Sequence, residues 1–169
     1  MVIEDENLLT TEEKEYIENT VLSGDTPFWW IKESVIGEGK PIFVHILIHR
    51  ESQQILSAEY AAFFQKLAQR FATRYKIPCN VFLRGSLNLT YPQSGRSAVH
   101  VDHNFPHYQF LLHLNKADGG STLIFGSKGE VIKTVSPKQF KAFGFKGGLP
   151  HCMTFPNTGR RVIAVLTFS

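Results

Sequence analysis

Four histidines and one aspartate fall within the nineteen residues "SAVHVDHNFPHYQFLLHLN", positions 97–115 of this chain. Most of the remaining positions are apolar or aromatic. On a strand, residues i and i+2 point the same way, so His100 and Asp102 can offer an imidazole and a carboxylate to one ion. The pair alone is weak evidence. With seven histidines and 15 acidic residues in 169, one such pair arises by chance, and a rival stands at His49 and Glu51.

A third ligand is required, and His151 is the candidate. It follows "KGGLP" and opens a strand about fifty residues after His100. The alternative for it is a loop histidine bonded to a carbonyl. Two histidines and one carboxylate on one face of an ion leave the opposite positions open, which suits non-haem Fe(II). Zinc fits less well, because no thiolate accompanies the set and a third histidine is the commoner zinc ligand. Arg160 and Arg161 then lead into "VIAVLTFS". An arginine on a buried strand needs an anion, since an unpaired interior charge is costly, and a guanidinium grips carboxylate bidentately. Neighbours on a strand face opposite sides, so one of the two can point inward.

The elements that must position these residues are legible in outline. "TTEEKEYIENTVLSG" reads as a helix, with capping-box spacing at Thr10 and Glu13 and a stop at Gly24. "DTPFWW" reads as a docking segment across the core edge. A strand is expected at 42–49 and a second helix from Ser57 to Tyr75, with Tyr60, Phe63, Phe64, Leu67 and Phe71 at helical spacing for core packing. In "VFLRGSLNLTY", Leu83, Leu87, Leu89 and Tyr91 share one face, and Arg84, Ser86, Asn88 and Thr90 the other. Short strands are expected at 97–102, 107–114, 121–126, 129–135, 138–144, 149–155 and 160–168, separated by turn signals such as "NKADGG" and "PNTG". Many short strands without intervening helices indicate an antiparallel sandwich or jelly roll, with the early helices covering one face.

Length and composition set the frame. A chain of 169 residues, 43% hydrophobic and 20% charged, is expected to form a single soluble domain with 1–80 as support and 81–169 as the core that carries the metal site. Cys79 and Cys152 form no metal-like pair and no bridge framework, so a reducing, cytoplasmic home is expected. The acidic N-terminus does not read as a signal peptide. No apolar run approaches the roughly 20 residues of a membrane span. The net charge of +3 does not by itself indicate nucleic acid. Lys128, Lys133, Lys138, Lys141 and Lys146 gather late in the chain, as solvated faces or as a surface for an acidic partner.

Taken in order, "TYPQSG…HVD", "HLNKADGGSTLIF" and "PHCMTFPNTGRRVIAVLTF" resemble the 2-oxoglutarate and iron(II)-dependent dioxygenases, in particular their prolyl-hydroxylase-like branch and its short phage- and bacterium-like members. The likeness covers Leu87 to Phe168. It implies a mainly β, double-stranded β-helix (jelly-roll, cupin-like) core with the N-terminal helices packed on one face. It further implies Fe(II) on His100, Asp102 and His151, with 2-oxoglutarate and O2 as cosubstrates. Asp102 matters, because halogenating relatives lack that carboxylate. The far carboxylate of 2-oxoglutarate would meet Arg161, ten residues after His151 as in the family's longer spacing, while Arg160 would serve the shorter. His113 stands where the family often has tyrosine and would contact the cosubstrate. Tyr91 is expected to point into the barrel near the metal, and His103 and His107 to face solvent or line the substrate entrance.

The reaction so implied is hydroxylation of a C–H bond in a peptidyl side chain or small molecule. Two alternatives stand beside it: the same chemistry on a nucleic-acid base or its methyl group, permitted by the late lysines but without a base-stacking motif, and a metal-binding jelly roll that is no oxygenase and has no need of the arginine.

Overall fold

The computed structural model describes residues 2–35 and 37–169. Helix α1 (Thr11–Tyr16) begins where Thr10 and Glu13 close a capping box. The Glu13 amide donates to Thr10 Oγ1 and the Thr10 amide to Glu13 Oε2, satisfying two donors that a helix start leaves free. The helix continues as a π turn over Ile17–Val21. Helix α2 (Ala58–Arg74) buries Phe64, Leu67, Ala68 and Phe71. Arg70 forks onto the Glu13 carboxylate at 2.6 and 2.7 Å and so ties the two helices together.

Twelve strands follow the chain: β1 (Val2–Asp5), β2 (Trp29–Ile31), β3 (Ile42–Ile48), β4 (Phe82–Thr90), β5 (Tyr108–His113), β6 (Asp118–Gly119), β7 (Thr122–Phe125), β8 (Val131–Val135), β9 (Ala142–Lys146), β10 (His151–Met153), β11 (Pro156–Thr158) and β12 (Arg161–Phe168). Seven form an antiparallel sheet in the order β1-β9-β5-β12-β4-β3-β2. The second sheet, β10-β7-β8, is extended at its β10 edge by a bridge between His100 and His151. Strands β6 and β11 make a small separate pair.

Strand periodicity divides the interior into two cores. Val162, Ala164, Leu166 and Phe168 of β12 join Leu87, Leu89, Phe110 and Leu112 against the helices. Ile163 and Val165 point the other way, into a cluster between the sheets with Leu111, Ile124, Val135, Phe143 and Phe145. Gly144 of β9 allows the helix side to close. A Cβ there would lie 2.6 Å from the Phe71 ring and 2.8 Å from the Gln109 carbonyl oxygen. The fold is therefore mainly β, a jelly roll with helices on one face, as expected from the sequence.

The differences are local. β1 was not foreseen, because four residues give no periodicity. Residues 97–102 form bridges rather than a strand: Arg96 pairs with Thr154 and His100 with His151. "TPFWW" does not dock its tryptophans. It ends in edge strand β2, where Trp29 and Trp30 are both exposed. The late lysines are partly spoken for. Lys133 and Lys141 reach the Glu4 carboxylate at 2.6 and 2.9 Å, and Lys138 pairs with Glu6. Cys79 and Cys152 are both free. Among the described residues, no helix is long and apolar enough to cross a membrane.

Candidate metal centre and anion clamp

His100 and His151 are cross-strand neighbours. The His100 amide donates to the His151 carbonyl at 3.0 Å and the His151 amide to the His100 carbonyl at 2.9 Å, with ring centroids 4.6 Å apart. Each ring is aimed by the carbonyl two residues earlier, Ala98 O at 3.0 Å from His100 Nδ1 and Leu149 O at 3.2 Å from His151 Nδ1. A carbonyl only accepts, so Nδ1 carries the proton and the Nε2 lone pair is left for a ligand. Burial, with His151 beside it, lowers the pKa of His100 and favours its neutral, ligating form. Asp102 Oδ2 lies 3.6 Å from His151 Nε2. The three candidate ligand atoms of His100, Asp102 and His151 all fall within 4.8 Å of one another.

The Asp102 carboxylate is held from three sides. Oδ1 accepts from Arg50 Nη2 at 2.8 Å and Arg84 Nη1 at 2.5 Å, and Oδ2 accepts from Gln109 Nε2 at 2.7 Å. Arg50 Nη1 also donates to the Asp102 carbonyl at 2.9 Å. Burial by itself would raise this carboxyl, but the neighbouring His151 and the guanidinium charges of Arg84 and Arg50 outweigh it and hold the group well below the usual carboxylate range. Neither arginine nor Gln109 was singled out from the sequence as a site residue. The signal for Arg84 was present, since it lies on the polar face of the alternating strand.

Arg161 is 2% exposed and faces the same cavity. Its Nη2 donates to Thr122 Oγ1 at 3.3 Å and its Nη1 lies 3.6 Å from Met153 Sδ, while Nε has no partner. Among the described residues it forms no ion pair, and burial pulls its pKa down to about 10. Gly120, at φ +87°, accommodates the side chain: a Cβ there would meet Arg161 Cδ at 2.5 Å. The second glycine of "ADGGS" is thus required by the arginine. Arg160 is exposed, as the parity of β12 demands. His113, on the inward face of β5 with Gln109 and Leu111, is 1% exposed and lies over Phe143 at 5.5 Å. Neither of its ring nitrogens has a hydrogen-bond partner. Burial, then the charges of Arg161 and Lys141, push its pKa well below the ordinary histidine value.

The three candidate ligands, Arg50, Arg84, Gln109 and Arg161 line one cleft between the sheets; His113 is buried but is not in that lining. Tyr91 is not in it either. It is 48% exposed and packs edge-on against Phe43 at 6.0 Å. The expectation that it points into the barrel is overturned by parity, because it continues the face of Leu87 and Leu89, which meets the helices. His107 is likewise not solvent-facing. It is buried against Gly147, with Nδ1 on the Phe105 carbonyl at 2.8 Å. His103 is half-buried, its Nε2 2.9 Å from Thr167 Oγ1. His49 engages Ser52 Oγ at 3.1 Å within its own turn, and Glu51 is exposed.

No family model matches the sequence, and no curated protein does. Solved structures do match. An oxidoreductase of the 2OG-Fe(II) oxygenase family from Burkholderia pseudomallei superposes with a TM-score of 0.81 at 14% identity, over 99% of this chain and 84% of that one. A prolyl hydroxylase from Trichoplax adhaerens, solved with a hypoxia-inducible-factor oxygen-degradation-domain peptide fragment, gives 0.64 at 16% identity over 99% and 83%. The non-haem α-ketoglutarate-dependent epimerase SnoN of nogalamycin biosynthesis gives 0.67 at 13% identity over 99% and 77%. At these identities the likeness is one of fold, and the fold is that of the 2OG-Fe(II) oxygenases.

Proposed function

We propose that this chain, one domain with the fold of the 2OG-Fe(II) oxygenases, is a 2-oxoglutarate- and O2-dependent Fe(II) hydroxylase acting on a C–H bond of a peptidyl side chain or small molecule. The observation that carries the reading is a pair of complementary features in one cleft. One ligand atom each from His100, Asp102 and His151 lies within 4.8 Å of the others, and the buried Arg161 guanidinium, which forms no ion pair among the described residues, faces the same space. A buried unpaired charge is costly, so its retention beside a converging set of nitrogen and oxygen donors fits a dicarboxylate that bridges the two.

His100, Asp102 and His151 would hold Fe(II), a donor set that suits it. Bound there, Fe(II) supplies the redox chemistry by which 2-oxoglutarate and O2 give succinate and carbon dioxide while one oxygen atom enters the substrate C–H bond. Arg161 would grip the far carboxylate of 2-oxoglutarate bidentately, with Thr122 beside it. His113, whose two ring nitrogens are unpartnered, would donate one N–H to the same carboxylate. Arg84 and Arg50 commit Oδ1 of Asp102 to the protein, while Oδ2, steadied by the Gln109 amide, is the oxygen on the His151 side. A jelly roll that merely stores metal gives no reason for Arg161. A nucleic-acid substrate finds little support, since three of the five late lysines are paired with Glu4 and Glu6. The Trichoplax prolyl hydroxylase is solved in complex with a peptide fragment, which supports a peptide here; the epimerase neighbour leaves a small molecule beside it.

The test is succinate release from 2-oxoglutarate by the Fe(II)-loaded protein, followed by mass spectrometry of peptides and amino acids for the gain of one oxygen atom. Iron-loaded protein with no saturable 2-oxoglutarate binding by calorimetry would sink the reading.

A further inference from the structure

The cleft is unbalanced in charge, and the excess lies away from Arg161. Three guanidiniums line it, Arg50, Arg84 and Arg161, against the carboxylate of Asp102. Arg161 pairs in register with Thr90 at the end of β4, and Arg84 sits six positions back along that strand, opposite Thr167. At about 3.3 Å per residue their backbones are separated by roughly 20 Å, with Asp102 held at the Arg84 end. The cleft thus has cationic groups at both ends, with the metal donors gathered around Asp102 toward the Arg84 end.

Arg84 and Arg50 share one anchor, the Oδ1 atom of Asp102. Among the described residues the Arg84 side chain makes no other hydrogen bond, and it lines the cavity with its side chain 21% exposed. Arg50 comes from the turn after β3, is 44% exposed, and stands beside it at the mouth. The two like charges oppose each other, and burial adds to the strain on Arg84. One carboxylate balances one guanidinium. If it also faces a divalent cation, both arginines lack adequate compensation within the lining.

We infer that the primary substrate is an anion, and that its carboxylate or phosphate group binds Arg84 and Arg50 on the side of the metal donors opposite Arg161. The inference rests on the hydroxylase reading and deepens it. 2-Oxoglutarate would neutralise the Arg161 end, and the substrate the Arg84 end. The arrangement also sets which C–H bond is presented: one a short distance from the substrate's anionic group.

The experiment is anaerobic calorimetry on protein loaded with Mn(II) and saturated with 2-oxoglutarate, so that the Arg161 end is filled. Inorganic phosphate and acetate are the two probes, distinguishing a phosphate from a carboxylate source. At least one should bind saturably at millimolar concentration. Arg84→Gln should weaken it about tenfold and Arg50→Gln by a few-fold, in keeping with lost charge-assisted contacts, and Arg84→Lys should restore part of the affinity. Metal and 2-oxoglutarate titrations on the same variants separate the alternatives. If Arg84 serves only to position Asp102, Mn(II) affinity falls while probe binding at saturating metal is unchanged, which overturns the inference. Failure of both probes on protein that binds metal and 2-oxoglutarate overturns it as well and leaves the hydroxylase reading standing. Absence of 2-oxoglutarate binding would instead count against that reading.

Discussion

β12 shows two kinds of interior on one strand. Its even residues, Val162, Ala164, Leu166 and Phe168, are all at most 1% exposed and meet only apolar partners beneath the helices. Its odd residues begin with a buried arginine, pass through Ile163 and Val165, and end at Thr167, which His103 engages. Both faces are buried, yet only one is satisfied by its surroundings. The helix side contributes to stability through close packing. The inter-sheet side retains groups that cost stability: Arg161 without a counter-ion and His113 with both nitrogens unpartnered. Unmet polar demand in an otherwise well-packed fold marks the place that a ligand completes.

The sharpest way to break the comparison is to exchange the consequences. His100→Ala or His151→Ala should abolish Fe(II) binding and turnover, while urea midpoints of the metal-free protein move little, by about 1 kcal/mol or less. Phe71→Ala, on the other face, should do the reverse. It removes a fully buried ring that packs at 5.4 Å from Phe110 and against Gly144, and should cost about 3–5 kcal/mol, with metal stoichiometry unchanged wherever the variant is folded. Loss of iron binding in His49→Ala but not in His100→Ala would show the ligand assignment to be wrong.

Arg161 allows a test in which stability and function move in opposite directions. Arg161→Met keeps the length of the stem and removes the unpaired charge. The metal-free variant should be more stable than the parent by about 1–3 kcal/mol, read as a higher Tm. Its apparent KM for 2-oxoglutarate should rise about tenfold or more, as for the loss of a charge-assisted contact worth roughly 1.5–3 kcal/mol. Arg160→Ala, exposed, should change both much less. A variant that loses stability along with affinity would mean that Arg161 already has a partner in the folded chain.

The same contrast explains what was legible in the sequence. Period-two spacing offered His100 and Asp102 as a pair, and the later strand opening at His151, together with the order of motifs, offered the third member; the structure brings the three together. The helices, the jelly roll and the inward Arg161 followed from pattern and resemblance. What failed was parity carried past a strand end. The alternation of "VFLRGSLNLTY" separates leucines from polar residues correctly, but the leucine face is the helix side, so Tyr91 falls outside the site and Arg84 inside it. Apolar content does not tell which face of a strand meets which core when both are buried. Arg50 and Gln109 carry no local signal either, since their roles depend on Asp102 arriving from elsewhere in the chain. His107 could not be placed for a related reason: its burial depends on Gly147, some forty residues on.

The smallest expected effect concerns His113, and it is read as a slope against pH. Burial, Arg161 and Lys141 hold its folded pKa well below the ordinary histidine value of about 6.5. Below that value the unfolded chain takes up a proton that the folded chain refuses, so stability falls as the pH drops, by at most about 1.4 kcal/mol per pH unit from this residue. Above it the imidazole is neutral in both states and contributes no slope. His113→Phe keeps the stacked contact with Phe143 and removes the titration. Urea unfolding of the metal-free protein should therefore give parent and variant curves that run parallel above the ordinary histidine value and diverge below it, the variant losing less. His100 and His103, also depressed by burial, titrate in both proteins and cancel from the difference. The variant should also bind 2-oxoglutarate a few-fold more weakly, as for one neutral hydrogen bond worth about 0.5–1.5 kcal/mol, a smaller change than at Arg161. Curves that stay parallel throughout would mean that His113 takes up its proton as readily in the folded chain as in the unfolded one. It would then lie near an anion rather than beside the bare guanidinium of Arg161, and the contrast between the two faces of β12 would lose one of its two supports.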